Sequence, residues 1–457
     1  MWVLKRLPLA FTGGLVFGLS IILLAACDLP APKPTSAVGT PTDTPPAVSG
    51  EPVAGEATPE PGEVTPQPPA FVTVTVWTTE LFSPTQALTR GKILAQNAAR
   101  FTADNRNVRL QFIPKKAYGD GGILDFLQTT GDVVPNLLPE VVFIDVDELG
   151  PAVDAGLVQP LDDLVPSDVV DDLYPFAREA CTIDGQLYCL QFQADLDHLA
   201  YDTGRVVVPP GSWPEVLSYP GQYTFPAGGQ DDLVDDDTLI QYMDVRSWPI
   251  DDDSGEPFLE QDSLVAVLQY YHDGRAREVF PAKILEYRSF EENPEEGAEK
   301  MWRDFLAGES AMTHVSASRY LSERGSTPQG PGAAAIPAIS GPVAALGRGW
   351  AMALVTTDPF REDAAVEFMT QLMAPETNAG WNQAAGYLPT RQTAITYWHP
   401  EDDYTPFIHQ RLLTARRRPR LPSYAQLAAV FQVAVESVLS GTATPEEAAA
   451  QAIEDAP

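Results

Sequence analysis

The sequence is poor in basic residues, and this shortage excludes a class of partners. It has 29 lysines and arginines against 63 aspartates and glutamates, which gives a formal net charge of −34 over 457 residues. A surface of that sign repels the phosphates of nucleic acids, so we expect no nucleic acid among the partners. The one basic run, residues 416–418 with Arg420, is therefore interpreted as a solvated face.

Histidine is also scarce, and the usual catalytic motifs are missing. The five histidines stand singly, and the sequence contains no GxSxG, HExxH, P-loop or GxGxxG motif. Residues 231–235 match the DDxxD motif of prenyl-diphosphate enzymes. Those enzymes are all-helical, whereas this chain has the α/β pattern and export signal described below, so we do not expect it to be one of them. Residues 251–256 resemble only half of a calcium loop and are interpreted as a solvated turn. We therefore predict a protein that is not an enzyme and has neither a cofactor nor a metal site.

The amino terminus has the pattern of an export signal. Lys5 and Arg6 precede an uncharged apolar run, residues 7–26, which ends in Leu-Ala-Ala followed by Cys27. A run of that length could also span a bilayer as a helix. The Leu-Ala-Ala-Cys string resembles the lipobox of bacterial lipoproteins, which implies cleavage after residue 26 and lipidation of Cys27. Acyl chains would then anchor the protein to the cell membrane on its extracytoplasmic side.

Residues 27–70 are predicted to be a disordered tether. Twelve of the 43 residues from 28 to 70 are proline and none is aromatic, so the segment has too little apolar surface to fold. Beyond Cys27 only Cys181 and Cys189 remain, on either side of an Asp184-Gly185 turn signal. In an exported protein such a pair favours a disulfide, although two buried free thiols are the alternative.

From residue 71 onward the pattern is α/β. Strands are predicted at residues 72–77, 108–112 and 141–144, and the last of these is apolar throughout, as in a strand covered on both faces. Helices are predicted after a Ser83-Pro84 cap, over residues 361–373 and 422–440, and from a capping box at Thr444. Strands alternating with helices indicate an open parallel sheet.

Several segments in order resemble one family. Residues 139–165, 184–202, 307–320 and 347–391 are similar to extracellular solute-binding proteins of the maltose-binding type, the substrate receptors of ABC importers. The resemblance implies a two-lobed α/β fold of periplasmic-binding-protein type II. Each lobe would be a mostly parallel sheet flanked by helices, with the ligand cleft between the lobes. Lobe 1 would hold residues 71–199 and 344–395, and lobe 2 would hold residues 200–343 and 396–457.

The same resemblance implies the ligand and the residues that bind it. The solute would be a sugar or oligosaccharide, delivered by a monomer to the transmembrane subunits of an ABC permease. Two departures from the family pattern, at Ser318 and Arg348, leave open another polar solute such as a phosphorylated polyol. An exported glycoside hydrolase using Asp147 and Asp195 is a further alternative. The ligand-binding positions carried over from the family are Trp77, Asp147, Glu148, Asp195, Tyr242, Ser318, Tyr320, Trp350 and Phe431.

Overall fold

A computed structural model describes most of the chain after residue 70. The described residues are 71–228, 236–246, 258–287, 298–324, 330–341, 344–420 and 424–456. The predicted signal segment, the tether with Cys27 and the two acidic clusters at 231–235 and 251–256 lie outside them. In the part that is described, no helix combines the length and the apolar character needed to cross a membrane.

Two main sheets organise the described chain. Its strands are β1 (Val72–Thr78), β2 (Val108–Pro114), β3 (Val141–Asp145), β4 (Thr182–Ile183), β5 (Gln186–Leu187), β6 (Cys189–Gln191), β7 (Asp197–Tyr201), β8 (Tyr223–Thr224), β9 (Met312–Ser316), β10 (Gly332–Ala334) and β11 (Trp350–Leu354). The first sheet has the order β2-β1-β3-β11-β6, and the second has the order β10-β7-β9-β8. The predicted two-lobed α/β architecture is confirmed, with one main sheet in each lobe.

Both sheets mix strand directions. In the first sheet β1 runs parallel to β2 and β3, whereas β11 is antiparallel to β3 and β6. In the second sheet β9 is parallel to β8 and antiparallel to β7. Residues 141–144 of β3 are fully buried, which confirms that both faces of this central strand are covered.

Helices cover both sheets. Their bounds are α1 (Thr89–Asp104), α2 (Ile123–Val133), α3 (Leu149–Asp154), α4 (Ser167–Asp171), α5 (Pro175–Cys181), α6 (Trp213–Ser218), α7 (Asp236–Val245), α8 (Gln261–Ala276), α9 (Ala298–Leu306), α10 (Ala317–Glu323), α11 (Pro359–Leu372), α12 (Pro375–Ala385), α13 (Tyr404–Thr414), α14 (Tyr424–Ser440) and α15 (Pro445–Glu454). The predicted helices over 361–373 and 422–440 correspond to α11 and α14. The capping box of α15 is also confirmed, because Thr444 and Glu447 bond each other's backbone N–H.

One predicted helix start is wrong. The chain does not enter α1 from Ser83, because the helix begins at Thr89 after Leu88. Ser83 instead closes a short 3₁₀ turn, and its hydroxyl lies 2.8 Å from the hydroxyl of Thr85. The serine is therefore used within the turn, and it is not available to cap a helix.

Two segments connect the two sheets, from β6 to β7 and from β10 to β11, and a third segment bonds beside them. Asp195 and Arg348 exchange both backbone hydrogen bonds, each 3.0 Å long. Gly347 N–H donates to the carbonyl of Arg416 over 2.7 Å, so the segment between α13 and α14 joins the same ladder. The packing is tight at Gly349, whose φ is +149° and where a Cβ would lie 2.1 Å from the carbonyl oxygen of Gln193. Only glycine fits that position.

The structure joins Cys181 and Cys189 in a disulfide. Asp184 and Gly185 form a two-residue hairpin turn with positive φ, and Tyr188 N–H bonds the carbonyl of Cys181. The hairpin is therefore regular. The disulfide joins Cys181, the last residue of α5, to Cys189, the first residue of β6. Cys189 directly follows Tyr188, the residue that lies opposite Cys181 in the hairpin.

Candidate ligand-binding cleft

A cleft of about 610 Å³ opens between the ends of the two main sheets. The first lobe contributes the loop before α2, the turn after β3 and the start of β11, and the second lobe contributes β9 and the helices beside it. The connecting segments form the floor. The lining residues are Tyr118, Asp145, Asp147, Glu148, Gln193, Asp195, Asp197, Pro226, Met301, His314, Val315, Ser316, Arg319, Arg348, Gly349, Trp350, Tyr387 and Arg418.

Three carboxylates lie together where β3 ends, and we call Asp145, Asp147 and Glu148 the acidic corner. Tyr118 donates its hydroxyl hydrogen to Asp145 Oδ2 over 2.6 Å, and the N–H of Asp147 donates to Asp145 Oδ1 over 2.9 Å. Arg418 Nη1 lies 2.6 Å from Asp147 Oδ2. Glu148 Oε2 is buried and has no hydrogen-bond partner. The corner therefore has one carboxylate with an oxygen that accepts no hydrogen bond from any described residue.

Burial and mutual repulsion raise the pKa values of two carboxyl groups in the acidic corner. The pKa of Asp145 is raised to about 6, mainly by burial and also by the charge of Asp147, whereas the hydrogen bond from Tyr118 opposes the rise. Burial raises the pKa of Glu148 to about 7, again with repulsion from Asp145 and Asp147. Glu148 is therefore close to half-ionised near neutral pH, and Asp145 reaches half-ionisation near pH 6. A ligand can change the protonation of both groups.

An aromatic surface stands beside the acidic corner. The rings of Trp350 and Tyr118 are 5.7 Å apart, and the Trp350 ring is also 5.8 Å from the buried Phe82. Trp350 is half-buried, and its backbone N–H donates to Gln193 Oε1 over 3.1 Å. Trp350 thus rests on the first-lobe core while it lines the cleft. This arrangement suits a ring that stacks on a ligand.

The floor of the cleft carries two further carboxylates with different partners. Asp195 accepts hydrogen bonds from the hydroxyl and the N–H of Ser318 over 2.6 and 3.1 Å, and burial raises its pKa. Burial alone would also raise the pKa of Asp197, but the Arg348 guanidinium holds it below its usual value. Arg348 binds Asp197 with two nitrogens, over 2.6 and 3.1 Å. Its charge is thus balanced within the protein, which weakens the case for an anionic ligand.

The second-lobe wall is less polar. His314, Val315 and Ser316 come from β9, and Met301 comes from α9. The His314 ring bonds the Asp237 carboxylate and the Tyr223 hydroxyl. Burial lowers the pKa of His314 to about 3, so the imidazole is neutral at physiological pH.

The structure brings four of the nine predicted binding residues to the cleft lining, namely Asp147, Glu148, Asp195 and Trp350. Ser318 lies directly behind the lining through its hydrogen bonds to Asp195. Trp77 is not among the lining residues, because it lies inside β1, which extends to Thr78. It is 4% exposed, and its ring packs edge-on against Phe126 in the core of the first lobe.

The other three predicted residues are also corrected to packing positions. Tyr242 is fully buried, packs edge-on against Phe431 and accepts a hydrogen bond from Glu260 N–H over 2.8 Å. Tyr320 stacks on Tyr404 with ring centroids 4.9 Å apart. Each of the three rings is covered by a helix of its own lobe, so none is among the residues that line the cleft.

Fourteen of the eighteen lining residues were not predicted from the sequence, and they include Tyr118, Asp145, His314 and Arg418. The sequence does contain a pattern that could have identified Asp145, because this residue is the first charged one after the apolar run of β3. Arg418 belongs to the basic run that was interpreted as a solvated face, and this interpretation is corrected. The run binds first-lobe acceptors instead, since Arg417 pairs with Glu179 and Arg420 bonds the carbonyls of Ala180 and Thr182.

The comparison with protein families decides what kind of protein has this cleft. The model of the bacterial extracellular solute-binding proteins matches residues 96–405, which is more than half of the chain. The chain belongs to this family. Its members are solute-binding proteins, and the family to which the sequence segments pointed is thereby confirmed.

Solved structures agree on the fold. The cyclic α-maltosyl-1,6-maltose-binding protein of Arthrobacter globiformis is 18% identical, with 84% of this chain and 98% of that chain covered and a TM-score of 0.66. A solute-binding protein of an ABC transporter from Agrobacterium radiobacter, in complex with ribitol, is 24% identical, with 85% and 99% covered and a TM-score of 0.59. The maltose-binding protein of Listeria monocytogenes, bound to maltose, is 15% identical, with 84% and 96% covered and a TM-score of 0.66.

A curated relative matches over a shorter stretch. The maltotriose-binding protein of Pyrococcus abyssi is 30% identical over 88 residues, which are 19% of each chain. The match thus spans about a fifth of the length of that relative.

Proposed function

We propose that this protein is a membrane-tethered extracytoplasmic receptor that binds a sugar or oligosaccharide and delivers it to an ABC importer. The observation that carries the proposal is the cleft, because one first-lobe wall combines the Trp350 ring with the carboxylates of the acidic corner. Aromatic faces pack against the C–H groups of sugar rings, and carboxylates accept hydrogen bonds from sugar hydroxyls. Relatives that bind maltose, maltotriose or a maltosyl ring support a carbohydrate ligand.

Binding would occur by closure of the lobes. We assign residues 71–199 and 344–395 to lobe 1 and residues 200–343 and 396–457 to lobe 2. The connecting segments around Asp195 and Arg348, with the segment of Arg416 bonded beside them, would then act as the hinge. Asp147, Glu148 and Trp350 would hold the solute first, and β9 would close over it. Only the closed form would present both lobes correctly to the transmembrane subunits of the permease.

The anchor is proposed from the amino-terminal sequence. Cys27 would carry the lipid, and residues 28–70 would tether the receptor to the membrane. Cys27→Ser should leave the protein unprocessed or released into the medium, because no thiol remains to accept the lipid. Mass spectrometry of the mature protein checks this, and an amino terminus other than an acylated Cys27 would contradict it.

A polyol is the second candidate solute. The relative from Agrobacterium radiobacter was solved with ribitol, and it has the highest identity among the structures described above. A polyol offers hydroxyl groups to the same carboxylates but no ring face for Trp350. A phosphorylated polyol is less suited, because Arg348 is already bound to Asp197.

A glycoside hydrolase is the competing class. It would need two carboxylates with different protonation states, and burial does raise the pKa of Asp195. Asp147, however, is paired with Arg418, and Asp195 is bonded to Ser318. Turnover of a glycoside that disappears in Asp195→Asn would support the hydrolase and contradict the receptor.

A thermal-shift screen of the full-length protein tests the proposal. A ligand that binds the native state raises the apparent stability by RT ln(1 + [L]/Kd). We expect a concentration-dependent rise in Tm with at least one carbohydrate. If no carbohydrate, polyol or phosphorylated polyol raises the Tm, the proposed solute class is wrong.

A further inference from the structure

The cleft contains more negative charge than its own cations neutralise. Each arginine of the lining is paired with a carboxylate: Arg418 with Asp147, Arg348 with Asp197, and Arg319 with Glu323. Within the described residues, no lysine or arginine forms an ion pair with Asp145 or Glu148. Two carboxylates of the acidic corner therefore lack a cationic partner among the residues that the structure describes.

These two carboxylates are also poorly solvated. Glu148 Oε2 is buried without a hydrogen-bond partner, whereas Asp145 has hydrogen bonds from Tyr118 and from the backbone of Asp147. Of the neighbouring charged groups, Asp147 repels both carboxylates, and only Arg418 attracts Asp145. A buried carboxylate without a cation is costly, and a cation supplied by a ligand removes most of that cost.

The surroundings of Asp145 and Glu148 restrict which cation fits. The Trp350 and Tyr118 rings stand beside the corner with centroids 5.7 Å apart, and aromatic faces attract organic cations as well as sugar rings. No group of three or more acidic, histidine or cysteine side chains in the described part of the chain is placed to hold a metal ion. An ammonium group attached to a ring satisfies both the carboxylates and the aromatic surface.

We propose that the solute is an amino sugar, or an oligosaccharide containing one, whose ammonium group lies against Glu148 and Asp145 while its ring stacks on Trp350. This inference rests on the proposed function and narrows its solute class. It assigns Glu148 as the residue that distinguishes an amine-bearing sugar from a neutral one.

The test is isothermal titration calorimetry of the full-length protein at pH 6 with three probes. These are the glucosamine trisaccharide, its fully N-acetylated counterpart and maltotriose. We expect the glucosamine trisaccharide to bind at least about tenfold more tightly than its N-acetylated counterpart, because an ionic hydrogen bond is gained. Titrations in buffers of different ionisation enthalpy should show release of more than about half a proton, because the ammonium lowers the pKa of Glu148 from about 7.

Glu148→Gln is the decisive variant, because it keeps the shape of the side chain and removes its charge. It should reduce the preference for the glucosamine trisaccharide by on the order of tenfold and abolish most of the proton release. Glu401→Gln, at an exposed turn outside the cleft lining, is the matched control and should change neither quantity.

The outcomes separate the two proposals. If maltotriose or the N-acetylated sugar binds as tightly as the glucosamine trisaccharide, the amino-sugar inference is wrong and the sugar receptor stands. If none of the three probes binds, and the wider carbohydrate screen also fails, both proposals fall. Spermidine is titrated under the same conditions as a control for an organic cation without a sugar ring. Tighter binding of spermidine than of the glucosamine trisaccharide would overturn the inference in favour of a polyamine.

Discussion

The two walls of the cleft offer a ligand different chemistry. The first-lobe wall presents the acidic corner beside Trp350 and Tyr118, whereas the second-lobe wall presents Met301, Val315, Ser316 and a neutral His314. The second lobe adds two charged residues to the lining, Arg319 and Arg418, and they are already paired with Glu323 and Asp147. We infer that selection of the solute depends on the first-lobe wall and that the second-lobe wall encloses it.

The largest effect is expected at a tryptophan behind the first wall. Trp77→Ala should lower the free energy of unfolding by about 3–5 kcal/mol, because its ring is packed in the core. Affinity per folded molecule should be unchanged. Urea denaturation and calorimetry of the same sample measure both quantities, and a loss of affinity at constant stability would place Trp77 in the site after all.

The next effect distinguishes Trp350, in the first-lobe wall of the cleft, from Trp77, in the core behind that wall. Trp350→Ala should weaken sugar binding by about 2 kcal/mol or more, because it removes the stacking face. The ligand-free protein should lose less stability than it does in Trp77→Ala, since Trp350 is only half-buried. A sharp fall in the ligand-free Tm with affinity retained would show that Trp350 is structural.

Loss of the Ser318 hydroxyl at the floor of the cleft should lower the stability of the protein. Ser318→Ala removes the 2.6 Å hydrogen bond to Asp195 and should destabilise the protein by about 1–3 kcal/mol at pH 7. The effect should be smaller at low pH, where Asp195 is protonated and needs fewer donors. Ser318→Thr keeps a hydroxyl and serves as the control, and equal losses in both variants would contradict the role of this bond.

The smallest effect concerns the pH dependence of stability. The pKa of Glu148 is raised from its ordinary 4.5 to about 7 in the folded protein. The folded state therefore retains a proton that the unfolded chain releases, and this contribution to stability is lost as the pH rises from 4.5 to 7. Glu148→Gln should be more stable than the wild type at pH 8 by on the order of 1 kcal/mol, after allowance for solvent screening. At pH 4 the two proteins should be equal, and a constant difference across this range would contradict the shift.

The sequence predicted the fold better than the cleft. Alternating valines located β1, and the unbroken apolar run located β3, because local patterns reflect how each strand is buried. Whether the face of β1 that carries Trp77 is covered depends on α2, which lies far along the chain. Arg417 and Arg420 likewise have their partners near the end of α5, and Arg418 has its partner at Asp147. Those pairings are set by tertiary packing and leave no local signal.

Hydrogen–deuterium exchange with and without the tightest-binding carbohydrate tests the central claim most directly. We predict that bound sugar slows exchange on both walls at once, at residues 145–148 and 348–350 of the first lobe and at residues 314–319 of the second. The connecting segment at residues 193–197 should also be protected. Protection confined to one lobe, or to a surface away from these segments, would contradict binding by cleft closure.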